Sequence, residues 1–274
     1  MSAVGTRAFT MVEVLVVIAI IVVLASVLVP VSGYAQSAAQ RAQCMAHLRQ
    51  MTLAATSWAL EHQGAFPPGL LHGTDQDCLS GDVRTWDWHR QPNGDVRPGL
   101  LWPYVSGAEA HEVLTCPTAS HVSTSWSGDP VTGYNYNVAF IAGEARSPAP
   151  DDKDLGAYDL LAPKANLDGA THLTLAQCRR SASVALFGVG GRRDATNKFM
   201  RSPVNTGPEY DIAYAGAQAF PMGSNVGRVD GSVVTVELPQ RGQYADDLPA
   251  WIVDQLDFPR NGFLSEDASA YDPR

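Results

Sequence analysis

Glu13 is a carboxylate at the start of an otherwise apolar run, and it raises the first chemical question of this sequence. The 18 residues from Val14 to Val31 carry no charge. A carboxylate costs about 2.5–3.5 kcal/mol at the centre of a bilayer and less toward the interface. A buried charge of this kind needs a partner of opposite sign, because charges attract strongly in a low dielectric.

The cysteines are the second group with potential chemistry. None belongs to a C-x-x-C pair, so the spacing of zinc ribbons and redox motifs is missing. An even number in an exported body predicts one or two disulfides, with three possible full connectivities, whereas four buried free thiols are the alternative. The four are Cys44, Cys78, Cys116 and Cys178.

Sequence motifs typical of enzymes are missing. The chain has no G-x-S-x-G, no Walker-type loop with lysine and no H-E-x-x-H. Cys116 and His121 form a close Cys/His pair, without the second half of a zinc site. We therefore predict that the chain is not an enzyme. The tryptophans in loop-like contexts favour closing a β core over forming a sugar-binding face; they are Trp86, Trp88, Trp102 and Trp126.

Composition restricts the classes of partner. The 274 residues carry a net charge of −9, which argues against general nucleic-acid binding. A local group of basic residues is expected to be a solvated surface. Its members are Arg179, Arg180, Arg192, Arg193 and Lys198.

The apolar run predicts a single membrane span over residues 9–31. Arg7 precedes it, so the positive-inside rule places the N-terminus in the cytoplasm and exports the body. A cleaved signal peptide ending at Ala35 is the competing interpretation. The length of the run, Glu13 within it and a helical pattern that continues past Ala35 all weigh against cleavage there.

A helix is predicted over residues 9–63. Cys44, Leu48, Met51, Ala55 and Trp58 follow at spacings of four and three, which places them on one stripe. Its second half is therefore amphipathic. Gly64 suits a C-terminal cap, and the two prolines after it end the helix.

The segment AFTMVEVLVVIAII resembles the type IV prepilin signature. The resemblance implies that a prepilin peptidase cuts between Ala8 and Phe9, removing a leader of residues 1–8, and methylates the new N-terminus. Most members have Gly where this chain has Ala8. Pro30 falls where many pilins carry a proline that loosens the helix. Glu13 is implied to meet the N-terminal amine of another copy during assembly.

A wider resemblance is to bacterial proteins similar to the major pseudopilin of type II secretion. Arg41, Cys44, HLRQ and FPPG match the typical pattern, and LTCPTAS and GYNYN are similar to that group. The resemblance implies a Cys44–Cys116 disulfide, with Cys78 and Cys178 as an additional pair; Cys78–Cys116 is the competitor. Many members carry a His followed by nine residues and then Asp-Gly, whereas this chain has Phe220 at the His position before Asp230 and Gly231.

The related major pseudopilin binds calcium through loop oxygens, so the resemblance makes calcium a possible cofactor. The candidate ligands lie at Asp151, Asp152 and Asp154, or at Asp246 and Asp247. None has EF-hand spacing, and solvated loop carboxylates are the simpler interpretation.

The body, residues 64–274, is predicted to be rich in β structure. Strands are expected at 113–116, 133–142 and 183–189, with a hairpin at 225–237 turning on Asp230-Gly231. A short helix is expected at 250–258, and loop insertions at 72–98 and 144–170. The predicted fold class is α+β, with one long transmembrane and amphipathic helix packed on a small antiparallel sheet.

The sequence thus predicts a structural subunit of a type IV pilin-like filament or type II secretion pseudopilus. The implied partners are other copies or related pilins, the prepilin peptidase and an inner-membrane assembly platform. The subunit would wait in the inner membrane and then enter a periplasmic or surface filament. The alternative is an exported binding protein or enzyme that uses the helix only as an anchor.

Overall fold

The chain has an α+β fold in which one long N-terminal helix precedes small sheets. A computed structural model describes residues 10–72, 83–105, 113–118, 132–142, 144–145, 173–193, 195–204, 214 and 216–274. The chain divides into two compact units, the first ending at Ala42 and the second running from Gln43 to Arg274.

Helix α1 runs without interruption from Met11 to Glu61. It ends two residues before the predicted limit, since Gln63 and Gly64 have φ angles of 58° and 86°. The Gly64 amide donates to the Ala59 carbonyl at 2.7 Å, as expected for a left-handed C-terminal cap. Pro30 does not interrupt the helix.

The described residues of the second unit form three sheets. The first has the strand order β4-β3-β2-β1-β6, the second β11-β10-β7-β5-β8, and the third pairs β12 with β9. The β1–β6 and β5–β8 pairs are parallel and the others are antiparallel. The architecture is therefore mixed, where one antiparallel sheet was predicted. The strands are β1 (Leu70–His72), β2 (Val83–Thr85), β3 (Trp88–Arg90), β4 (Val96–Pro98), β5 (Tyr134–Asn137), β6 (Glu144–Ala145), β7 (Ala185–Val189), β8 (Phe199–Met200), β9 (Gln218–Ala219), β10 (Ser224–Arg228), β11 (Val233–Val236) and β12 (Asn261–Gly262).

The predicted helix stripe forms the centre of the main core. Cys44, Leu48, Met51 and Ala55 are fully buried, and Trp58 packs at the edge of the cluster. The helix lies so close to β10 that a Cβ atom at Gly227 would stand 2.7 Å from Thr52 Cγ2. Glycine at this position therefore permits the close contact between helix and sheet.

The GYNYN segment, β5, joins the helix to the rest of the body. The Tyr134 hydroxyl lies 3.3 Å from His47 Nδ1, and the Tyr136 hydroxyl donates to the Pro67 carbonyl at 2.9 Å. The alternate residues Asn135 and Asn137 donate instead to backbone carbonyls of other segments. Successive side chains of a strand point to opposite faces, so the tyrosines and the asparagines of β5 contact different segments, which explains their alternation in the sequence.

The hairpin at 225–237 is confirmed, but its turn differs from the predicted one. β10 and β11 pair from Ser224↔Val236 to Gly227↔Val233. Only Gly231 of the Asp-Gly pair has positive φ, at 86°, and its amide donates to the Arg228 carbonyl. The connection is longer than two residues, and Asp230 instead accepts hydrogen bonds from the Ser232 amide and hydroxyl.

The structure confirms some of the other predicted elements and contradicts others. The strand at 183–189 corresponds to β7, and the helix at 250–258 is present as α2 (Ala250–Asp254). The strand predicted at 113–116 is wrong: these residues form a turn in which Val113, Leu114 and Cys116 are buried. A short apolar run specifies burial but not strand geometry. The loop predicted at 72–98 is also wrong in part, because 83–98 forms three paired strands.

Candidate functional site

Glu13 forms a capping box at the start of α1. The Thr10 amide and hydroxyl donate to Glu13 Oε2 at 2.8 and 2.7 Å, and the Glu13 amide donates to Thr10 Oγ1 at 3.3 Å. Such reciprocal bonds satisfy amides that have no partner in the first helical turn. Glu13 therefore has a local role that sequence reasoning missed, although T-x-x-E is a recognised capping signature.

The helix after Glu13 is exposed and apolar. One helix in the described chain is long and apolar enough to cross a membrane; it lies near the N-terminus, and its most apolar window has a mean hydropathy of 3.3. Large side chains from Met11 to Val31 are about half exposed or more, for example Ile18 at 54% and Leu28 at 64%. The processing residues Ala8 and Phe9 lie outside the described residues.

The part of α1 that belongs to the second unit, residues 43–61, has a second apolar feature on its exposed side. Ala46, Leu53 and Leu60 are exposed and lie seven residues apart, which places them on one stripe. Leu53 is 55% and Leu60 74% exposed. We call these three residues the outer stripe. It is separate from the buried stripe that contains Leu48.

Cys44 and Cys116 lie side by side in the core. Both are fully buried free thiols that share a hydrogen bond, and Tyr134 and Asn225 also bond to Cys44. The bond to Cys116, followed by burial, raises the pKa of Cys44 strongly. Cys178 is half-buried and free, and burial raises its pKa to about 11. Cys78 lies outside the described residues.

We expect Cys44 and Cys116 to form a disulfide when the chain is in an oxidising compartment. It would close a loop of about 70 residues and stabilise the body by about 4 kcal/mol in the chain-entropy treatment. Forming this bond from two thiols is a two-electron oxidation, so it needs a disulfide-exchanging oxidant. Non-reducing peptide mapping should recover a Cys44–Cys116 cross-link, and Cys44→Ser should lower the melting temperature whereas Cys178→Ser should not. Full alkylation of Cys44 in the unfolded, unreduced protein would contradict this pairing.

The calcium candidates form no ligand set in the described part of the chain. Asp246 pairs with Arg241 at 2.8 Å, and no group of three or more His, Cys, Asp or Glu able to hold a metal occurs among the described residues. Asp247 lies beside Asp246 in a short 3₁₀ helix, Ala245–Asp247. The other candidates, Asp151, Asp152 and Asp154, lie outside the described residues.

Arg179, Arg180 and Arg193 are exposed, as predicted for a solvated surface, and Arg192 is partly exposed. Arg193 pairs with Asp254, Arg180 donates to the Ser269 carbonyl, and Arg192 donates to Gln255. Lys198 is 8% exposed and lies 3.3 Å from both carboxylate oxygens of Asp87, which is fully buried. A solvated surface was predicted, and Lys198 does not fit it.

The tryptophans close the core, as the sequence favours. Trp86 is fully buried against the stacked rings of Tyr136 and Phe187, with ring centroids 6.0 and 5.4 Å away. Trp88 is 8% exposed and packs on Trp102 at 4.9 Å. Trp126 lies outside the described residues. Phe220, at the position where the group that the sequence resembles carries His, is buried and offers no polar side chain.

The features of the described residues that bear on function are the exposed surfaces of α1, the capped Glu13 and the buried cysteine pair. Comparison of the chain with protein-family models, with curated proteins and with solved structures gives no match, so its function is argued from its own residues.

Proposed function

We propose that the chain is a structural subunit of a type IV pilin-like filament or type II secretion pseudopilus, assembled through α1. The observation that carries this proposal is one unbroken helix from Met11 to Glu61 whose apolar beginning is exposed and whose later part carries a core stripe. A protein that is merely anchored can be joined to its membrane helix by a flexible segment. A filament subunit is positioned by its helix, so it needs a helix that continues unbroken into the body. Cleavage after Ala35 would cut the helix in its middle.

Glu13 supplies the proposed contact between copies. Its Oε2 atom is engaged with Thr10, and Oε1 has no partner among the described residues. In an apolar filament interior, Oε1 would meet the freed amine of Phe9 from a neighbouring copy. An unpaired charge there is strongly unfavourable, so the pair selects one register between subunits.

The outer stripe supplies a second proposed contact. Leu53 and Leu60 expose apolar surface that water would otherwise solvate. Burying such side chains contributes about 25 cal/mol per Å². Seven-residue spacing suits packing against the helix of another copy. We propose that other copies or related pilins cover this stripe in the filament.

The remaining steps follow from the prepilin resemblance. A prepilin peptidase would remove residues 1–8 and methylate Phe9, and an inner-membrane platform would add the subunit to the filament. Arg7 keeps the leader in the cytoplasm under the positive-inside rule, so the body is exported.

The N-terminus of the mature protein tests the proposal most directly. We expect mass spectrometry of protein purified from the membrane to give N-methyl-Phe9, since the Ala8–Phe9 junction resembles a prepilin site. Ala8→Gly should be processed at least as completely, whereas Ala8→Lys should leave the leader attached. A start at Gln36 would indicate a signal peptide. A start at Met1 or Ser2 would favour the anchored binding protein.

A further inference from the structure

A small pocket lies where α1 ends and the Phe66-Pro67-Pro68-Gly69 segment begins. It has a volume of about 340 Å³, at the lower end of the range for small-molecule sites. We call it the helix-end pocket. It is lined by Trp58, Glu61, His62, Gln63, Ala65, Phe66 and Pro68.

Backbone hydrogen bonds fix the wall of the pocket. After the left-handed turn at Gln63 and Gly64, the Ala65 amide donates to the His62 carbonyl at 3.0 Å. The Phe66 amide donates to the Leu173 carbonyl at 3.0 Å, and Phe66 is fully buried. The backbone on this side of the pocket is therefore held in place without a ligand, which limits the entropy lost there on binding.

Aromatic rings dominate the pocket and its edge. His62 stacks on Trp58 with a centroid distance of 4.0 Å, and its Nδ1–H donates to the Trp58 carbonyl at 2.8 Å. The ring of Tyr104 meets Trp58 edge-on at 5.5 Å. Aromatic groups around a small cavity attract cations through the negative faces of their rings.

The fixed charges in the pocket also favour a cation. Glu61 is exposed, and its Oε2 accepts a 2.6 Å hydrogen bond from the Tyr104 hydroxyl. This bond holds the carboxylate beside the rings, while Oε1 has no partner among the described residues. The carbonyl end of α1 adds the negative end of the helix dipole. Neither lysine nor arginine is among the lining residues.

We propose that the helix-end pocket binds a substituted ammonium ion, held by Glu61 and by the rings of Trp58, His62 and Tyr104. The ligand is either a free quaternary amine or the ammonium group of a lysine side chain, since both present the same chemistry. This site is independent of the proposed filament contacts.

The test uses the full chain in detergent micelles and follows the indole N–H resonance of Trp58 by NMR, assigned with Trp58→Phe. Choline chloride is titrated against its uncharged isostere 3,3-dimethyl-1-butanol at constant ionic strength. We expect choline to give a saturable shift with a Kd on the order of 1 mM, and the isostere to bind about tenfold more weakly or worse. Nα-acetyl-lysine amide distinguishes the two sources, because a lysine site should prefer it to choline.

Two variants distinguish the contribution of the Glu61 charge to binding from that of the shape of the pocket. Glu61→Gln should weaken choline binding about tenfold, since it removes the carboxylate charge at an exposed position. Tyr104→Phe keeps the ring and the carboxylate charge but removes the hydroxyl that positions Glu61, so it should weaken choline binding less than Glu61→Gln does. Equal binding of choline and its isostere, no effect of Glu61→Gln in a folded protein, or no saturable shift with any of the three compounds would each overturn the proposal.

Discussion

Glu13→Gln is expected to reduce incorporation into filaments about tenfold or more while leaving membrane insertion unchanged. Glutamine also completes a capping box, so the start of α1 should be preserved. What disappears is the negative charge that we propose meets the Phe9 amine of another copy. In a low dielectric the loss of one partner leaves the amine uncompensated, and 1.4 kcal/mol already corresponds to a factor of ten. The measurement is the fraction of subunits in sheared filaments relative to the membrane fraction.

Thr10→Ala is the matched control for this prediction. It removes the hydroxyl that bonds to Glu13 but keeps the carboxylate charge. It should cost about 0.5–2 kcal/mol of helix stability and leave assembly largely intact. If Glu13→Gln assembles normally and Thr10→Ala does not, Glu13 acts through its cap and the proposed contact between subunits is wrong.

Lys198→Met is expected to destabilise the body by about 3–5 kcal/mol, because it leaves the buried Asp87 carboxylate without its cation. Asp87 is held by more than this pair: Thr85 Oγ1 donates to Oδ1 at 2.5 Å and the Trp88 amide donates to Oδ1 at 3.0 Å. The carboxylate therefore cannot turn toward solvent when the lysine is removed. Domains are stable by about 5–15 kcal/mol, so the loss should be visible as a fall of about 10 °C in the melting temperature.

Two further variants identify the cause. Adding Asp87→Asn to Lys198→Met removes the unpaired charge, keeps a hydrogen-bond acceptor and should recover most of the lost stability. Arg241→Met breaks the exposed pair with Asp246 and should cost at most about 1 kcal/mol. Equal losses for Lys198→Met and Arg241→Met, by denaturant unfolding, would show that burial of the Asp87–Lys198 pair is unimportant.

Local patterns in the sequence predicted the helix and its end. The spacing of Cys44, Leu48, Met51 and Ala55 identified the buried stripe because helical periodicity depends on near neighbours alone. Gly64 identified the end of α1 because few other residues adopt positive φ. The β10–β11 hairpin could be predicted for the same reason. The conformation of its turn could not, since Asp230 accepts hydrogen bonds from Ser232 instead of adopting positive φ.

Contacts between distant segments could not be predicted. Lys198 and Asp87 are 111 residues apart, so no spacing in the sequence indicates that they pair. Tyr104 reaches Glu61 across 43 residues, so no spacing signals the helix-end pocket. Cys44 and Cys116 lie together as free thiols, so the disulfide that the resemblance implied stays a prediction, as does the competing Cys78–Cys116 pair.

The two tyrosines of β5 have a mechanical consequence. Tyr134 contacts His47 within α1, and Tyr136 holds the Pro67 carbonyl just beyond its end. A load applied along α1 therefore reaches the sheet at two points on one strand, with the buried stripe between them. Such a load must strain the Tyr134 and Tyr136 contacts together, because neither tyrosine lies on a flexible segment. The body would resist extraction as a single unit, so force that draws the helix out of a membrane would carry the folded body with it.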